Sequence, residues 1–359
     1  MRVTLVEELE SLRDEWPAVF ENDPTATPFA SFEWQSAWCR HWAEGGTPWM
    51  LAVRDGERLV GLAPFLLRTR GGLRYLTGLG VGVGNYWDII AAPDDRERVV
   101  TEVAAALGRR TSEWDALFMD KLPEESTTMA ALRGAGLRLG NTTQLTSPRI
   151  ELPTSFDDYL AGVSSKRRRE IRRSLQKLDA GELTIHEVNG PEELRVAIER
   201  WQALKVQWWT SRGLPLDPEH SSRRFLDFTV DALTAMVPRG LAAVWELRRG
   251  EEIVSINIGL TDELAYYGWL FGFDSRFEDL RPGHMLIAYG IRWSVEQGLR
   301  YYDFMLGAES YKYHYAPRDR AVLTVTVGSH RLRSRATVGL SRARRAALPE
   351  GMRIPVFGR

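Results

Sequence analysis

The sequence predicts an α/β (α+β) protein built from two related lobes, and two observations carry that reading. From Leu264 to Leu306 the chain reads as strand, loop, helix, strand, and the same order stands earlier with matching short strings. ELRRGEEIVSINIGL (Glu246 to Leu260) repeats the hairpin in WMLAVRDGERLVGLAPFLL (Trp49 to Leu67), with RRGEEIV set against RDGERLV, and RYYDFMLGAES stands where WDALFMDKLPEES stands in the first half. The period is far longer than a solenoid repeat. A chain of 359 residues has room for two such lobes of about 150 residues, each with its own core. The expected organisation is an N-terminal lobe over 1–150, a C-terminal lobe over 151–329 and an Arg-rich tail over 330–359.

In chain order, residues 1–30 give a short amphipathic beginning and the loop NDPTATPF. SFEWQSAWCRHW then spaces Trp34, Trp38 and Trp42 by four, one face of a helix capped by Ser31, which is a core-packing pattern. The Trp49–Leu67 hairpin turns at Asp55-Gly56. GLGVGVGN (Gly78 to Asn85) tempts a phosphate-loop reading, but no helix pattern starts directly after it and no Lys-Ser/Thr follows, so NYWDII is expected to continue as a strand. DDRERVVTEVAAALGRR reads as a helix and WDALFMDKLP as a strand.

Between the lobes, VSSKRRREIRRSLQKLDAGEL places Ile171, Leu175 and Leu178 on one helical stripe, leaving Arg167, Arg168, Arg172 and Lys177 mainly toward solvent or toward an anionic ligand. Two helices joined by a Gly/Pro loop follow, over PEELRVAIERWQALKVQWWTSRGLPLDPEHSSRRFLDFTVDALTAM. Next comes the second hairpin, then the aromatic strand LAYYGWLFGF, which breaks at Asp274. A buried helix carrying Met285, Ile287, Ile291, Trp293 and Val295 begins near Pro282, where proline's missing N–H costs nothing, and stops at Gly298 before the strand RYYDFML.

No run approaches the roughly 18 apolar residues of a membrane span, and MRVTLVEELESL lacks the pattern of a signal peptide. The single cysteine, Cys39, allows neither an internal disulfide nor a metal cluster, so a cytoplasmic protein without metal is expected. A net charge of −1 hides an asymmetry, because His330 to Arg359 holds eight arginines against one acid, Glu350.

The loop that carries Arg281, Pro282 and Gly283 into a helix start leaves backbone N–H groups pointing outward at the positive end of the helix dipole, a place that holds phosphate. The order D-x-x-F-x-x-x-x-P-G-x-x-L-I, then E-x-G-L-R-Y-Y-D-F, resembles the acyl-CoA-binding segment of the GNAT superfamily of N-acyltransferases. The continuation G-x-E-x-Y-K (Gly307, Glu309, Tyr311, Lys312) is similar to the CelD/BcsL-type subfamily, related in turn to the Fem-type aminoacyltransferases. The resemblance covers about Phe29 to Val327. It implies two tandem GNAT-like lobes, each a mixed, mostly antiparallel sheet flanked by helices, the first of them degenerate and shaping one wall of a cleft.

The resemblance further implies an N-acetyltransferase that moves an acetyl group from acetyl-CoA to an amine of a small molecule or an amino sugar. Arg281, Gly283, His284 and Met285 would then hold the donor pyrophosphate. Asp303 and Glu309 are candidate bases, with His314 a further one, and Lys312 is the candidate charge partner of the reacting carbonyl. Lysine is scarce here, arginine supplying 42 of the 47 basic residues, which singles Lys312 out. Trp209, Arg212 and Tyr311 are candidate acceptor-binding residues, an aromatic and a guanidinium suiting flat or anionic groups. A Fem-like transferase using aminoacyl-tRNA and a non-catalytic acyl-CoA-fold binding protein are the alternatives, and tRNA is a nucleic-acid partner only under the first of them.

Overall fold

A computed structural model of the protein describes residues 1–331 and Ser334, so the Arg-rich tail from Leu332 onward lies, Ser334 apart, outside the described residues. The chain packs as two compact units, Met1–Thr146 joined by the described residues from Ala321, and Ser147–Arg320. In chain order the first unit holds β1 (Arg2–Val6), α1 (Trp16–Glu21), α2 (Phe32–Trp42), β2 (Gly46–Pro48), β3 (Met50–Asp55), β4 (Arg58–Ala63), β5 (Phe65–Arg70), β6 (Leu73–Gly78), β7 (Ile90–Ala91), α3 (Pro93–Arg109), β8 (Ala116–Pro123) and α4 (Thr128–Gly134). Strand β9 (Arg138–Glu151) leads into the second unit, with α5 (Phe156–Gly162), α6 (Ser165–Asp179), β10 (Thr184–Glu187), α7 (Pro191–Ser211), α8 (Arg223–Met236), β11 (Ala242–Arg249), β12 (Glu252–Thr261), β13 (Ala265–Phe273), α9 (Pro282–Glu296) and β14 (Tyr301–Asp303). Strand β15 (Arg318–Gly328) returns the chain to the first unit.

The expected fold class holds, because each unit is a mixed sheet with helices against it, and each contains a parallel pair bridged by a helix. In the first unit β6 runs parallel to β8 with α3 between them, and β2, β5 and β15 extend the sheet antiparallel. A separate antiparallel sheet runs β1-β3-β4-β7. In the second unit β10, β11, β12 and β13 are antiparallel neighbours, β13 then runs parallel to β14 with α9 between them, and the end of β9 closes the row against β14.

Local sequence explains most boundaries. The Oγ of Ser31 accepts from the Trp34 amide at 3.3 Å, and Trp34 and Trp38 are buried, so the tryptophan stripe of α2 is packing as expected. The Cys39 thiol beside them is pushed up to about 12 by burial, which keeps it protonated and unreactive. NYWDII departs from expectation: only Ile90 and Ala91 pair as strand, residues 79–83 form turns and residues 84–89 are irregular. The glycines there take positive φ at Gly80 (81°) and Gly82 (94°), a backbone that no strand tolerates.

The core of the second unit is an aromatic stack. Trp245 of β11 lies on Tyr266 of β13 at 5.0 Å, Tyr266 lies on Tyr302 of β14 at 5.3 Å, and α9 adds Tyr289 and Trp293 edge-on to Trp245. Glycines make room for it: a Cβ on Gly259 would fall 2.1 Å from the Tyr266 phenol, and one on Gly290 would fall 3.0 Å from the Tyr302 ring. Phe271 and Gly272 are consecutive on β13, so they face opposite sides of the sheet. The first meets Gly283 of α9 and the second meets Trp201 of α7, which puts these helices on opposite faces.

At the far end of β13 the Asp262 carboxylate caps the turn from β12, accepting from the Leu264 amide (2.8 Å), the Ala265 amide (2.7 Å) and the Tyr267 hydroxyl (2.9 Å). Burial nevertheless pushes its carboxyl up to about 6. The folded value lies above the unfolded one of about 3.9, so the favourable contribution is complete below that value and is lost as pH rises through about 6. Asp262→Asn keeps the acceptor for the two amides and removes the titration. Urea unfolding at pH 4.5 and 7.5 should therefore show a smaller loss of stability on raising the pH in the variant than in the parent, by about 1–3 kcal/mol. Equal pH dependence in the two proteins would place the titrating group elsewhere.

Candidate active site

The candidate residues gather where β13 and β14 end. Their parallel pairing covers only three steps, Ala265 with Tyr301, Tyr266 with Tyr302 and Tyr267 with Asp303. Beyond Tyr267, β13 continues to Phe273 paired with β12, while its other edge has no partner strand among the described residues. A run of backbone donors and acceptors is left along that edge.

The pairing stops at Asp303. Its carboxylate is fully buried and accepts from the Met305 amide at 2.7 Å and from the Ser147 hydroxyl at 3.2 Å, which turns the chain away from the sheet. Met305 is thereby held at φ 61°, rare for a side chain of that size, and Gly307 follows at φ 106°. Lys312 fixes this loop. Its side chain is buried, and Nζ donates to the carbonyls of Met305 (3.2 Å), Leu306 (2.8 Å) and Gly307 (3.0 Å) while pairing with Glu309 at 2.9 Å. Burial lowers its pKa, and Glu309 opposes the shift. The sequence reading gave Lys312 to the reacting carbonyl; in the fold its N–H groups are taken up by its own loop. Glu309 is the exposed member of the group, its carboxylate lying over the α-carbon of Gly307 so closely that a Cβ there would be 2.5 Å from it.

Arg281 caps α9 in the left-handed region at φ 52°. Of the first amides of the helix, Arg281 N–H is taken by the Glu278 carbonyl (2.9 Å), Pro282 has none, and Met285 N–H is taken by the Arg281 carbonyl (3.2 Å). The amides of Gly283 and His284 are the ones without an intrahelical acceptor. Met285, expected to lend its amide, instead packs its side chain with Leu286, Phe277 and Leu247. The Gly283 α-carbon sits against Phe271, a Cβ there falling 3.3 Å from the ring, so the residue keeps the backbone open to a ligand.

His284 brings in a residue that local sequence did not mark. Its Nδ1 lies 2.8 Å from the hydroxyl of Tyr315, which is itself anchored by the Tyr159 hydroxyl donating to its carbonyl at 3.2 Å. Burial holds the Tyr315 phenol well above its ordinary pKa, so it stays protonated, and its hydroxyl lies within reach of both Nδ1 and the His284 carbonyl at 3.4 Å. Burial, then the neighbouring His314, Arg281 and Arg167, lowers the pKa of His284, which keeps the ring neutral. His314 stacks on it at 5.9 Å and 10°.

At the end of α7, the Arg212 guanidinium binds Glu278 at 2.6 Å and lies over Trp208 at 4.7 Å, tying this helix to the segment before α9. The Lys205 ammonium lies over the rings of Trp209 at 5.2 Å and Trp208 at 5.5 Å. Tyr311 and Tyr313 are both exposed: Tyr311 caps and Tyr313 belongs to a short 3-10 turn over Lys312–Tyr315, and neither is in a strand. The Tyr311 phenol is pushed up to about 12 by burial of its hydroxyl end and by Glu309. On α6, Arg168 turns inward to the carbonyls of Leu160 (2.7 Å) and Ala161 (3.1 Å) at the end of α5, while Lys166, Arg169, Arg172 and Arg173 remain exposed.

The matching place in the first unit has the opposite charge. Where α3 begins, Asp23 accepts from the Ala91 amide (2.9 Å) and pairs with Arg96 (3.0 Å), and Asp94 and Asp95 occupy the first turn. Acids at a helix start satisfy the dipole and repel an anion.

Residues 165–313 match the family model described as acetyltransferase (GNAT) domain. The matched stretch lies within the second unit. The match makes the protein an acyltransferase, and about nine-tenths of the chain shares a fold with solved structures of very different sequence. The crystal structure of FemX is 10% identical, with 90% of this chain and 97% of that chain covered at a TM-score of 0.67. A conserved protein of unknown function from Bacteroides thetaiotaomicron is 13% identical, with 91% and 100% covered at a TM-score of 0.59. No curated protein matches the chain in sequence. Among the described residues no helix is long and apolar enough to cross a membrane, and no group of three or more His, Cys, Asp or Glu is placed to hold a metal ion.

The cage around the Lys312 ammonium has a measurable consequence. Lys312→Met keeps the length of the stem and strands three carbonyls, so it should lower unfolding stability by about 2–4 kcal/mol in urea titration. A change under about 0.5 kcal/mol would show that the loop holds without the ammonium.

Proposed function

We propose that the GNAT domain transfers an acyl group, most simply acetyl, from acyl-CoA to the amine of a small molecule or amino sugar. The observation that carries this is the unpaired edge of β13 beyond Tyr267, running toward the open amides of Gly283 and His284. An extended donor can add along that edge by backbone hydrogen bonds while its pyrophosphate rests on the start of α9, beside Arg281 and His284. The residues present therefore fit the donor.

Transfer joins the amine nitrogen to the acyl carbon as the thioester C–S bond breaks, and the amine gives up a proton. Glu309 is the accessible carboxylate of the motif and is the proposed base. Asp303 and Lys312 are proposed as positioning residues, since both are spent on the loop that presents Glu309. Tyr311, Trp209 and Arg212 are proposed to border the acceptor, and membership of the CelD/BcsL-type subfamily is part of the same reading.

A Fem-like use of aminoacyl-tRNA is the second reading. It is favoured by the exposed row of Lys166, Arg169, Arg172 and Arg173 on α6, which suits a polyanion.

Thermal unfolding with acetyl-CoA, CoA and a nucleotide control separates the two. CoA species should raise the melting temperature saturably by a few degrees, a hundredfold excess over Kd being worth about 2.7 kcal/mol. Gly283→Leu should raise the apparent donor constant about tenfold with turnover within about threefold. No rise with any CoA species in folded protein, together with activity abolished by ribonuclease, would replace the first reading with the second.

A further inference from the structure

The first unit contains a cavity that the acyl-transfer reading does not use. It opens to solvent, the empty space at it amounting to about 410 Å³ with the open solvent counted, and its walls include Phe29, Gln35, Tyr86, Trp87, Asp88 and Asp120. It is wrapped by the glycine-rich turns between β6 and β7, whose shape is fixed by Lys121. The Lys121 Nζ donates to the carbonyls of Gly82 (3.0 Å) and Gly84 (2.7 Å).

Gln35 points to what the cavity takes. The residue is 98% buried, at 2% relative exposure. Its Nε2 donates to the Phe29 carbonyl at 2.7 Å and to the Leu79 carbonyl at 3.4 Å, which fixes the orientation of the amide. Its Oε1 is buried without a hydrogen-bond partner. A buried carbonyl oxygen left unpaired costs about 1–3 kcal/mol, and a ligand N–H recovers it. Two carboxylates on the walls add acceptors, beside the mixed donor-acceptor groups of Asn85 and Tyr86 and the Trp87 indole, whose N–H is given to the Pro64 carbonyl at 3.1 Å. Asp120 receives the Thr324 hydroxyl at 2.9 Å on Oδ1 and has Lys121 3.7 Å away at Oδ2, and Asp88 is bound by Arg96 at 2.6 Å and by Thr128 at 2.6 Å. Neither Arg96 nor Lys121 is among the residues that line the cavity. Three aromatic rings complete the walls, surfaces that attract a cation through their faces.

We infer that this cavity binds a primary ammonium group, with Gln35 Oε1 and the Asp120 carboxylate accepting its N–H donors and the rings of Phe29, Tyr86 and Trp87 enclosing its carbon stem. The site belongs to the first unit alone and stands whether or not the donor reading of the second unit holds.

Calorimetric titration of the full chain with n-propylammonium and with n-propanol tests it, the two probes sharing size and differing in charge and donor count. The ammonium should bind saturably with a Kd at least about tenfold below that of the alcohol. Asp120→Asn, which keeps the contact to Thr324, should weaken the ammonium at least about tenfold and leave the alcohol unchanged. Equal binding of the two probes, or none by either, would overturn the assignment. So would a crystal of the ammonium-soaked protein with only a water against Gln35. If Asp120→Asn does not fold, the comparison of the two probes on the parent chain decides alone.

Discussion

The short pairing of β13 with β14 governs the second unit. The parallel pair runs the whole length of the shorter strand, and that strand is ended after three residues by a buried carboxylate. Asp303 spends an oxygen on the Met305 amide, the chain turns through a left-handed residue, and Lys312 gathers the three carbonyls that the turn leaves pointing inward. Without this device the carbonyls of 305–307 would be buried and unpaired, or the loop would lie along β13 as more strand. The free edge of β13, the exposure of Glu309 and the opening in front of α9 all follow from it.

The two units show how one scaffold is put to different chemical use. Both contain a strand, a crossover helix and a parallel strand, and both use a buried lysine to hold carbonyls of a glycine-containing loop, Lys312 in one and Lys121 in the other. The helix starts differ in sign. α9 opens with Arg281, Pro282 and Gly283, while α3 opens with Asp94 and Asp95 and takes Asp23 across its entrance. The first arrangement attracts a phosphate and the second excludes one. Shared topology therefore does not carry shared chemistry, which resides in a handful of side chains at the strand ends.

Much of the fold was legible because its signals are local. Asp55-Gly56 marked a hairpin, Ser31 a cap, Pro282 and Gly298 the ends of α9, and the internal match of RDGERLV with RRGEEIV the two-lobed plan. What escaped depends on partners distant in sequence. NYWDII has strand composition, but Lys121 and Arg96 bind the segment around it into an irregular course. Tyr315 reaches His284 across 31 residues, and nothing near either one announces the bond. The motif carrying Lys312 was recognised and its side chain assigned to substrate, because a spacing pattern says which residues come together and not which acceptors a lysine finds first. Arg168 looked like one more surface charge on α6, and its turn toward the end of α5 depends on how the two helices abut.

The central claim is that an acyl-CoA donor lies along β13 with its phosphates on the first amides of α9. Backbone amide NMR of the labelled protein titrated with CoA addresses it residue by residue. The account predicts that Gly283 and His284 shift most, together with amides between Gly268 and Phe273, while Met285, already bonded to Arg281, moves less. Saturable binding that leaves these amides unchanged and perturbs another part of the chain would contradict it.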